Sequence, residues 1–142
     1  MQLQTRNFGE ITVNESDVIV FPSGLPGFEE MKKFTLLGKQ DTGAVFFWLQ
    51  SIDEPNLSFV VTDPFAIHPE YFVDVDDSET QELQISDAED LLTLAIVTVP
   101  ENVKNTTVNL KAPVLINLHN NKGKQIIMKN ETFPVKYNIM NE

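Results

Sequence analysis

Short apolar runs alternate with polar breaks along most of the chain. The runs mix β-branched and aromatic residues, and Gly, Pro, Asn or Asp separates each run from the next, which is the pattern of strands joined by turns. Because closure removes exposed sheet edges, this many strands predict a mainly β fold, a small closed or nearly closed antiparallel β-barrel-like domain. The predicted strands are Asp17–Phe21, Phe34–Leu37, Val45–Ser51, Ser58–Thr62, Phe72–Val75, Leu92–Val99, Thr107–Leu110, Val114–Leu118 and Gln125–Met128.

Helical signals are few and short. Ser86-Asp87-Ala88-Glu89 is a capping box, in which the serine hydroxyl accepts from a backbone amide and the glutamate reaches back to the start of the helix. The β-branched run that follows limits this helix to a short one, and Ser78–Leu83 is expected to form another short turn. We therefore predict one to three short helices. Asn120-Asn121-Lys122-Gly123 predicts a hairpin loop, since Asn and Gly accept positive φ.

No internal repeat, low-complexity tract or linker divides the chain. Its 142 residues are the usual size of one domain and can bury roughly two-thirds of the unfolded surface. We expect a single domain over residues 1–142. No stretch has the apolar pattern of a secretory signal or approaches the ~18 apolar residues of a membrane span. The chain has no Cys and needs no oxidising compartment, so we expect a cytoplasmic protein without membrane contact.

The most unusual local sequence follows the first predicted strand directly. Pro presets φ at the first central position of a type II turn and Gly supplies the positive φ at the second, so a Pro-Gly pair inside this sequence predicts such a turn. Two interpretations stay open: its apolar residues anchor the loop to the core, or the loop contacts a partner. A glycine loop that clamps RNA is disfavoured, because adjacent glutamates repel phosphate. The loop residues are Phe21, Pro22, Ser23, Gly24, Leu25, Pro26, Gly27, Phe28 and Glu29.

Charge is distributed unevenly along the chain. The net charge is −11, and residues 40–103 contain fourteen acids and no Lys or Arg, whereas residues 104–142 contain six bases and two acids. A protein that binds RNA or DNA gains affinity from Lys and Arg at the phosphates, so the acidic middle segment argues against direct nucleic-acid binding. It favours a basic protein partner. The alternative is that an acidic surface simply maintains solubility.

Acids are densest at Asp74, Asp76, Asp77 and Glu79. Their spacing is similar to the start of an EF-hand calcium loop. However, Glu79 stands where that loop requires Gly, and Ile85 stands where it requires a bidentate Glu, so no calcium site is expected. Three other interpretations stay open: a solvated acidic loop, an electrostatic docking patch for a partner, and weak adventitious binding of a cation.

Catalytic chemistry has few candidate residues. His68 and His119 are the two histidines of the chain, and neither lies in a metal-ligand spacing. The sequence has no nucleophile elbow, phosphate loop or dinucleotide-binding turn. Residue counting alone leaves a two-carboxylate hydrolase as an alternative, but such enzymes usually need a substrate cleft on a larger scaffold. We therefore expect a non-enzyme with no catalytic residues, no metal and no cofactor.

Five segments, in order along the chain, carry a resemblance to a known family. Through them the chain resembles the bacterial flagellar assembly factor FliW family over nearly its whole length. The first segment, FPSGLPGFE, is the most specific of the five. The segments are Phe21–Glu29, Leu49–Phe59, Asp63-Pro64, Leu92–Pro100 and Asn109–Asn117.

The resemblance implies a small β-barrel-like fold, no catalytic chemistry and two protein partners. One partner is flagellin, the filament subunit. The other is CsrA, an RNA-binding repressor that blocks translation of flagellin messenger RNA. The implied cycle is that cytosolic flagellin occupies the factor until flagellin is exported, whereupon the released factor captures CsrA and translation resumes. The alternative is a flagellin chaperone or adaptor without a translational role.

The charge of the acidic middle segment fits this implied role. A repressor that grips RNA presents basic surface, and a base-free acidic segment attracts it. We hypothesise that Asp74, Asp76, Asp77 and Glu79 form part of the docking surface for CsrA. Negative charge held near the RNA groove of the repressor would also repel incoming phosphates.

Overall fold

The computed structural model describes residues 2–6, 8–38, 46–85 and 88–139. Within these ranges, three single-turn 3₁₀ helices lie at Glu15–Asp17, Ala88–Asp90 and Val103–Asn105. The two α-helices are α1 (Pro64–Ile67) and α2 (Asp77–Glu82). The strands are β1 (Gln2–Thr5), β2 (Gly9–Thr12), β3 (Ile19–Val20), β4 (Lys33–Leu37), β5 (Phe46–Ser51), β6 (Ser58–Thr62), β7 (Leu91–Thr98), β8 (Thr107–Val108), β9 (Val114–Asn117), β10 (Lys122–Gln125) and β11 (Tyr137–Asn138).

Seven of these strands close into a barrel. The hydrogen-bonded order around the barrel is β7-β6-β5-β4-β3-β10-β9, and β9 pairs with β7 again. The neighbouring pairs are antiparallel, apart from β3 and β10, which run parallel where Val20 lies opposite Lys122. The prediction of a mainly β, closed barrel with short helices is confirmed, with one parallel pairing added.

Strand β7 belongs both to the barrel and to a small sheet outside it. Its first half, Leu91–Leu94, pairs with β9. Its second half pairs with β6 on one edge and with β8 on the other. Beyond β8 the sheet continues to β11, while β1 and β2 form a separate hairpin. The change of partners along β7 therefore closes the barrel.

Most predicted strands are confirmed, and Ser58–Thr62 coincides with β6. The strand predicted at Phe72–Val75 is wrong. Val73 and Val75 pack against buried clusters and Asp74 is exposed, but no described strand pairs with this segment. Instead, the backbone N–H of Asp74 donates to Met128 Sδ at 3.2 Å. The alternation of exposed and partly buried residues here belongs to an extended segment, which packs on the barrel without joining its hydrogen-bond ladder.

The strand predicted at Gln125–Met128 is displaced, because β10 ends at Gln125. Beyond it the chain still runs beside its neighbour, since Ile126 N donates to Pro113 O at 3.0 Å and Met128 N donates to Lys111 O at 2.9 Å. Proline has no N–H with which to return a bond, so a regular ladder cannot continue past Pro113.

The first predicted strand is shorter in the structure, and three observed strands were not predicted. Asp17–Phe21 shortens to β3 because a 3₁₀ turn occupies its start. Val45, the first residue of one predicted strand, lies outside the described residues. The sequence did not indicate β1, β2 or β11, whose polar content hides their pairing.

The short helices agree with the sequence expectation in part. Ser78–Leu83 was expected to form a short turn, and α2 confirms it. Of the predicted capping box, Ser86 and Asp87 lie outside the described residues. Helix α1 was not predicted, although Asp63 supplies its N-cap by accepting from Phe65 N at 2.9 Å and a proline occupies its first position. The loop predicted at residues 120–123 ends earlier, because β10 begins at residue 122, and Asn121 takes the positive φ of 56°.

The barrel interior is filled by large apolar side chains. Phe21 and Phe34 are fully buried and meet edge to face, with ring centroids 5.4 Å apart. Leu49, Val61 and Leu94 belong to the same cluster. A second cluster lies between β7, β8 and the segment around Tyr71. Burial of this apolar surface stabilises the fold, at about 25 cal/mol per Å² removed from water.

Tyr71 fixes the second cluster in place. Its hydroxyl donates to the carbonyl of Leu110 at 2.8 Å, and its ring lies 4.7 Å from that of Phe133. Burial raises the pKa of Tyr71 to about 12, because the charged phenolate would lose its hydration.

We expect Tyr71→Phe to lower the free energy of unfolding by about 1 kcal/mol at neutral pH, since Leu110 loses its hydrogen-bond donor. In the wild type, the unfolded phenol ionises near the ordinary pKa of 10.0, while the folded one keeps its proton to about 12. Stability therefore falls as the pH rises across this window, and the variant lacks this contribution. Urea unfolding at neutral and alkaline pH, with Tyr137→Phe as control, measures both effects. An unchanged alkaline slope in Tyr71→Phe would contradict the assignment.

Candidate partner-binding surface

The structure brings the four predicted acids together on one flank of the barrel. Asp74 and Asp76 are exposed in the extended segment before α2 because their apolar neighbours turn inward. Asp77 and Glu79 follow in the first turn of α2, where negative charge favours the helix start. We call residues 74–82 the acidic flank. It also contains Glu82, which the sequence analysis did not select.

A lysine from β10 lies between two acids of this flank. Lys124 Nζ is 2.6 Å from Glu79 Oε2 and 2.6 Å from Glu82 Oε2. The lysine side chain is 25% exposed, so these contacts are only partly screened by water. The hydrogen bonds that Lys124 donates, to Glu79 first and then to Glu82, raise its pKa. The bridge fastens α2 to the barrel wall.

Two further side chains reach the acidic flank from just after β10. Lys129 Nζ lies 2.8 Å from Asp76 Oδ2, and the hydrogen bond that Lys129 donates to Asp76 raises the pKa of the lysine. Asn130 Nδ2 donates to Asp74 Oδ2 at 3.2 Å. The side chains of Lys129 and Asp76 are 84% and 54% exposed. Exposed pairs of this kind contribute little to stability and exchange readily with other ions.

The acidic flank therefore keeps an excess of negative charge, but less than the sequence implied. It holds five carboxylates, and two ammonium groups from the basic end of the chain contact three of them. Other acids of the middle segment lie elsewhere. Asp53 and Glu54 follow β5 at one end of the barrel, and Asp63 follows β6 at the opposite end. The acids of the middle segment are therefore concentrated on the acidic flank, and other acids, such as these three, lie at the two ends of the barrel.

The Pro- and Gly-rich loop after β3 is built around buried anchors. Phe21 and Leu25 are 0% and 1% exposed. A Cβ added to Gly123 would lie 2.6 Å from the Phe21 ring, so only glycine lets β10 pass this close. These contacts support the first of the two interpretations, in which the loop is anchored to the core.

The tip of this loop forms the predicted turn. Gly27 has φ of 85°, and Phe28 N donates to Leu25 O at 2.7 Å. Gly24 has φ of 66°, and an added Cβ would lie 2.5 Å from the backbone of Glu29. Pro22 and Pro26 are exposed. Phe28 is 40% exposed, and its ring packs edge to face with that of Phe59. The loop thus combines a structural base with an accessible tip.

The sequence did not reveal the side chains that contact these acids. Lys124, Lys129 and Asn130 are more than forty positions from their partners, so no local spacing reveals them. The signal was the positive net charge of residues 104–142. Within the described ranges, no three His, Cys, Asp or Glu residues form a group that could hold a metal ion. None of the described helices is long and apolar enough to cross a membrane.

The chain matches the family model described as FliW protein over residues 2–139. It belongs to the FliW family. A flagellar assembly factor FliW from Caldanaerobacter subterraneus subsp. tengcongensis is 44% identical over 142 residues, covering 100% of this chain and 95% of that protein. The same-named protein of Alkaliphilus metalliredigens is 40% identical over 142 residues, covering 100% and 88%. Both relatives are named as flagellar assembly factors.

A solved structure supports the same assignment. The crystal structure of a flagellar assembly factor FliW superposes with a TM-score of 0.91 at 37% identity, covering 100% of this chain and 99% of that one. The barrel and its short helices are therefore the fold of the FliW family.

The two turn glycines are expected to differ in their sensitivity to alanine. Gly27→Ala strains only the backbone, since nothing lies within 4 Å of the added Cβ, and should cost about 1 kcal/mol. Gly24→Ala adds a collision with the Glu29 backbone, so the loss should be about 3 kcal/mol or more. Thermal or urea unfolding measures both. Equal losses would mean that the loop can move away from Gly24.

Lys124→Met is expected to lower the free energy of unfolding by about 1 kcal/mol at neutral pH, because Glu79 and Glu82 lose their shared ammonium. The folded pKa of Lys124 is raised, so its stabilisation is complete below the ordinary value of 10.5 and disappears as the pH rises through the folded pKa. Wild type and variant should therefore converge at strongly alkaline pH in urea unfolding. Lys122→Met, on the same strand, is the control, and equal losses in both variants would refute the bridge.

Proposed function

We propose that this protein is a non-catalytic regulator that binds flagellin in the cytoplasm and, once released, binds and antagonises the translational repressor CsrA. Its binding of CsrA would relieve repression of flagellin messenger RNA. The match to the FliW family from residue 2 to residue 139 carries this proposal. The relatives are named for flagellar assembly, and those names fit a flagellar partner.

The acidic flank supports the part of the proposal that concerns CsrA. Asp74, Asp76 and Asp77 are exposed, and Glu79 is partly exposed. The pair of Asp76 with Lys129 is accessible to water on both sides, so an arginine of a basic partner can replace this lysine at small cost. Bonds to Lys124 keep Glu79 in place on α2. The flank is thus a preformed row of carboxylates with one exchangeable cation.

Neutralising the flank tests its role in docking. We expect the combined change of Asp74, Asp76 and Asp77 to Asn and Glu79 to Gln to weaken CsrA binding by about tenfold or more at low salt, since tenfold corresponds to ~1.4 kcal/mol. The dependence of affinity on salt should also become shallower. Calorimetric titration at two salt concentrations measures both.

The matched control removes the same charge from exposed acids outside the flank. Its four changes are Glu10→Gln, Glu15→Gln, Glu30→Gln and Glu101→Gln. If flank and control variants lose affinity equally, net charge and not the flank attracts CsrA. A third variant, Lys129→Gln, removes the cation that competes at Asp76 and should strengthen CsrA binding.

A flagellin chaperone or adaptor without a translational role is the second candidate. Several large apolar side chains of the described chain are exposed, among them Phe65, Phe72 and Ile127 at 44%, 46% and 67%. A chaperone that relies on such surface would bind with weak salt dependence and a negative heat-capacity change. Displacement of labelled RNA from CsrA by the purified protein distinguishes the two, because a pure chaperone leaves the RNA bound.

A further inference from the structure

A groove of about 370 Å³ lies between α1 and the first half of β7. Phe65 of α1 forms part of its wall and is 44% exposed. Leu91 and Leu92 line the side of β7, and Phe47, which is 7% exposed, lies where the groove reaches the barrel interior. The groove therefore connects solvent with apolar surface that the barrel strands leave uncovered.

Strand β7 is paired on one edge only along this groove. Leu91–Leu94 pair with β9, whereas β6 ends at Thr62, which lies opposite Ala95. In the part of the chain that the structure describes, no strand continues beside the second edge, and α1 follows β6 there. An open strand edge presents backbone N–H and C=O groups at alternate residues, and these groups can bond an added strand.

Among the described residues, the groove has an acid and no base in its lining. Its lining residues all come from residues 40–103, which contain no Lys or Arg. Asp63 lies in the groove wall, where its Oδ1 caps α1, and Asp90 directly precedes Leu91. Neither acid takes part in an ion pair among the described residues. On the acidic flank, by contrast, Lys124 and Lys129 compensate part of the charge.

We propose that this groove binds an extended, basic segment of a partner protein, which adds as a strand to the open edge of β7. Main-chain hydrogen bonds to Leu91 and Leu92, which are partly exposed while Thr93 and Leu94 are buried, would hold the segment. An apolar side chain would pack between Phe65 and Leu92, and a Lys or Arg would lie near Asp63. A helix already uses its own backbone groups and cannot bond this edge. The proposal concerns the groove alone and goes beyond the proposed function, because it holds whether or not the protein antagonises CsrA.

Three synthetic peptides test the proposal on the full chain by NMR titration of backbone amides. The first is a capped Lys-Val-Ile-Val-Lys peptide, the second carries Glu in place of both Lys, and the third is the first peptide with one central amide N-methylated. We expect the first to shift the amides of Leu91 and Leu92 saturably and to slow hydrogen exchange there. The acidic peptide should bind about tenfold more weakly, because Asp63 and Asp90 repel it. The methylated peptide should also lose affinity, because it lacks one main-chain donor.

Variants of the protein separate the contributions of charge and apolar contact. Asp63→Asn keeps an oxygen for the helix cap and should weaken the basic peptide about threefold, in the range of an exposed ion pair. Phe65→Ala should weaken binding of the basic peptide further. The control is Phe28→Ala, since Phe28 has a similar exposure but packs against Phe59, and this change should leave binding unchanged. Equal binding of the three peptides, or amide shifts confined to other strands, would overturn the proposal.

Discussion

Pairing between β7 and β9 is the contact on which the rest of the molecule depends. It joins the two ends of the strand order and so turns a sheet into a barrel. Asn117, at the end of β9, is 1% exposed, and its Nδ2 donates to the carbonyls of Leu83 and Gln84 at 2.9 and 3.2 Å. These bonds satisfy a buried amide and position the end of α2 against the closing strand. The acidic flank is thus held by the same element that closes the barrel.

Charge compensation within the chain explains how so acidic a middle segment folds compactly. Like charges at high density oppose compaction, and bases from the C-terminal third reduce this repulsion. Lys124 forms its ion pairs where water is partly excluded, whereas the ion pair of Lys129 is exposed to solvent. The first contact is therefore mainly structural, while the second is weak enough to yield to a partner. The acidic flank therefore contains both a fixed ion pair, that of Lys124, and an exchangeable one, that of Lys129.

The surfaces that remain for partners differ in chemistry. The loop that identifies the family in sequence is largely structural, since Phe21 and Leu25 are buried and Gly24 and Gly123 permit close approach. The acidic flank offers carboxylates, with the exposed side chain of Ile127 beside them. The groove beside β7 offers an open strand edge, apolar side chains and acids together.

The sequence by itself determined the β-rich class, the barrel, the turn at Pro26-Gly27 and the short helix near residues 77–82, because these follow from local periodicity and turn chemistry. It also indicated the row of acids. Only the tertiary structure decided that no described strand pairs with Phe72–Val75, that Lys124 and Lys129 contact those acids, and that no described strand lies on the second edge of β7 at Leu91 and Leu92. These outcomes join residues far apart in the chain, and hydrophobic periodicity carries no information about which distant residues meet.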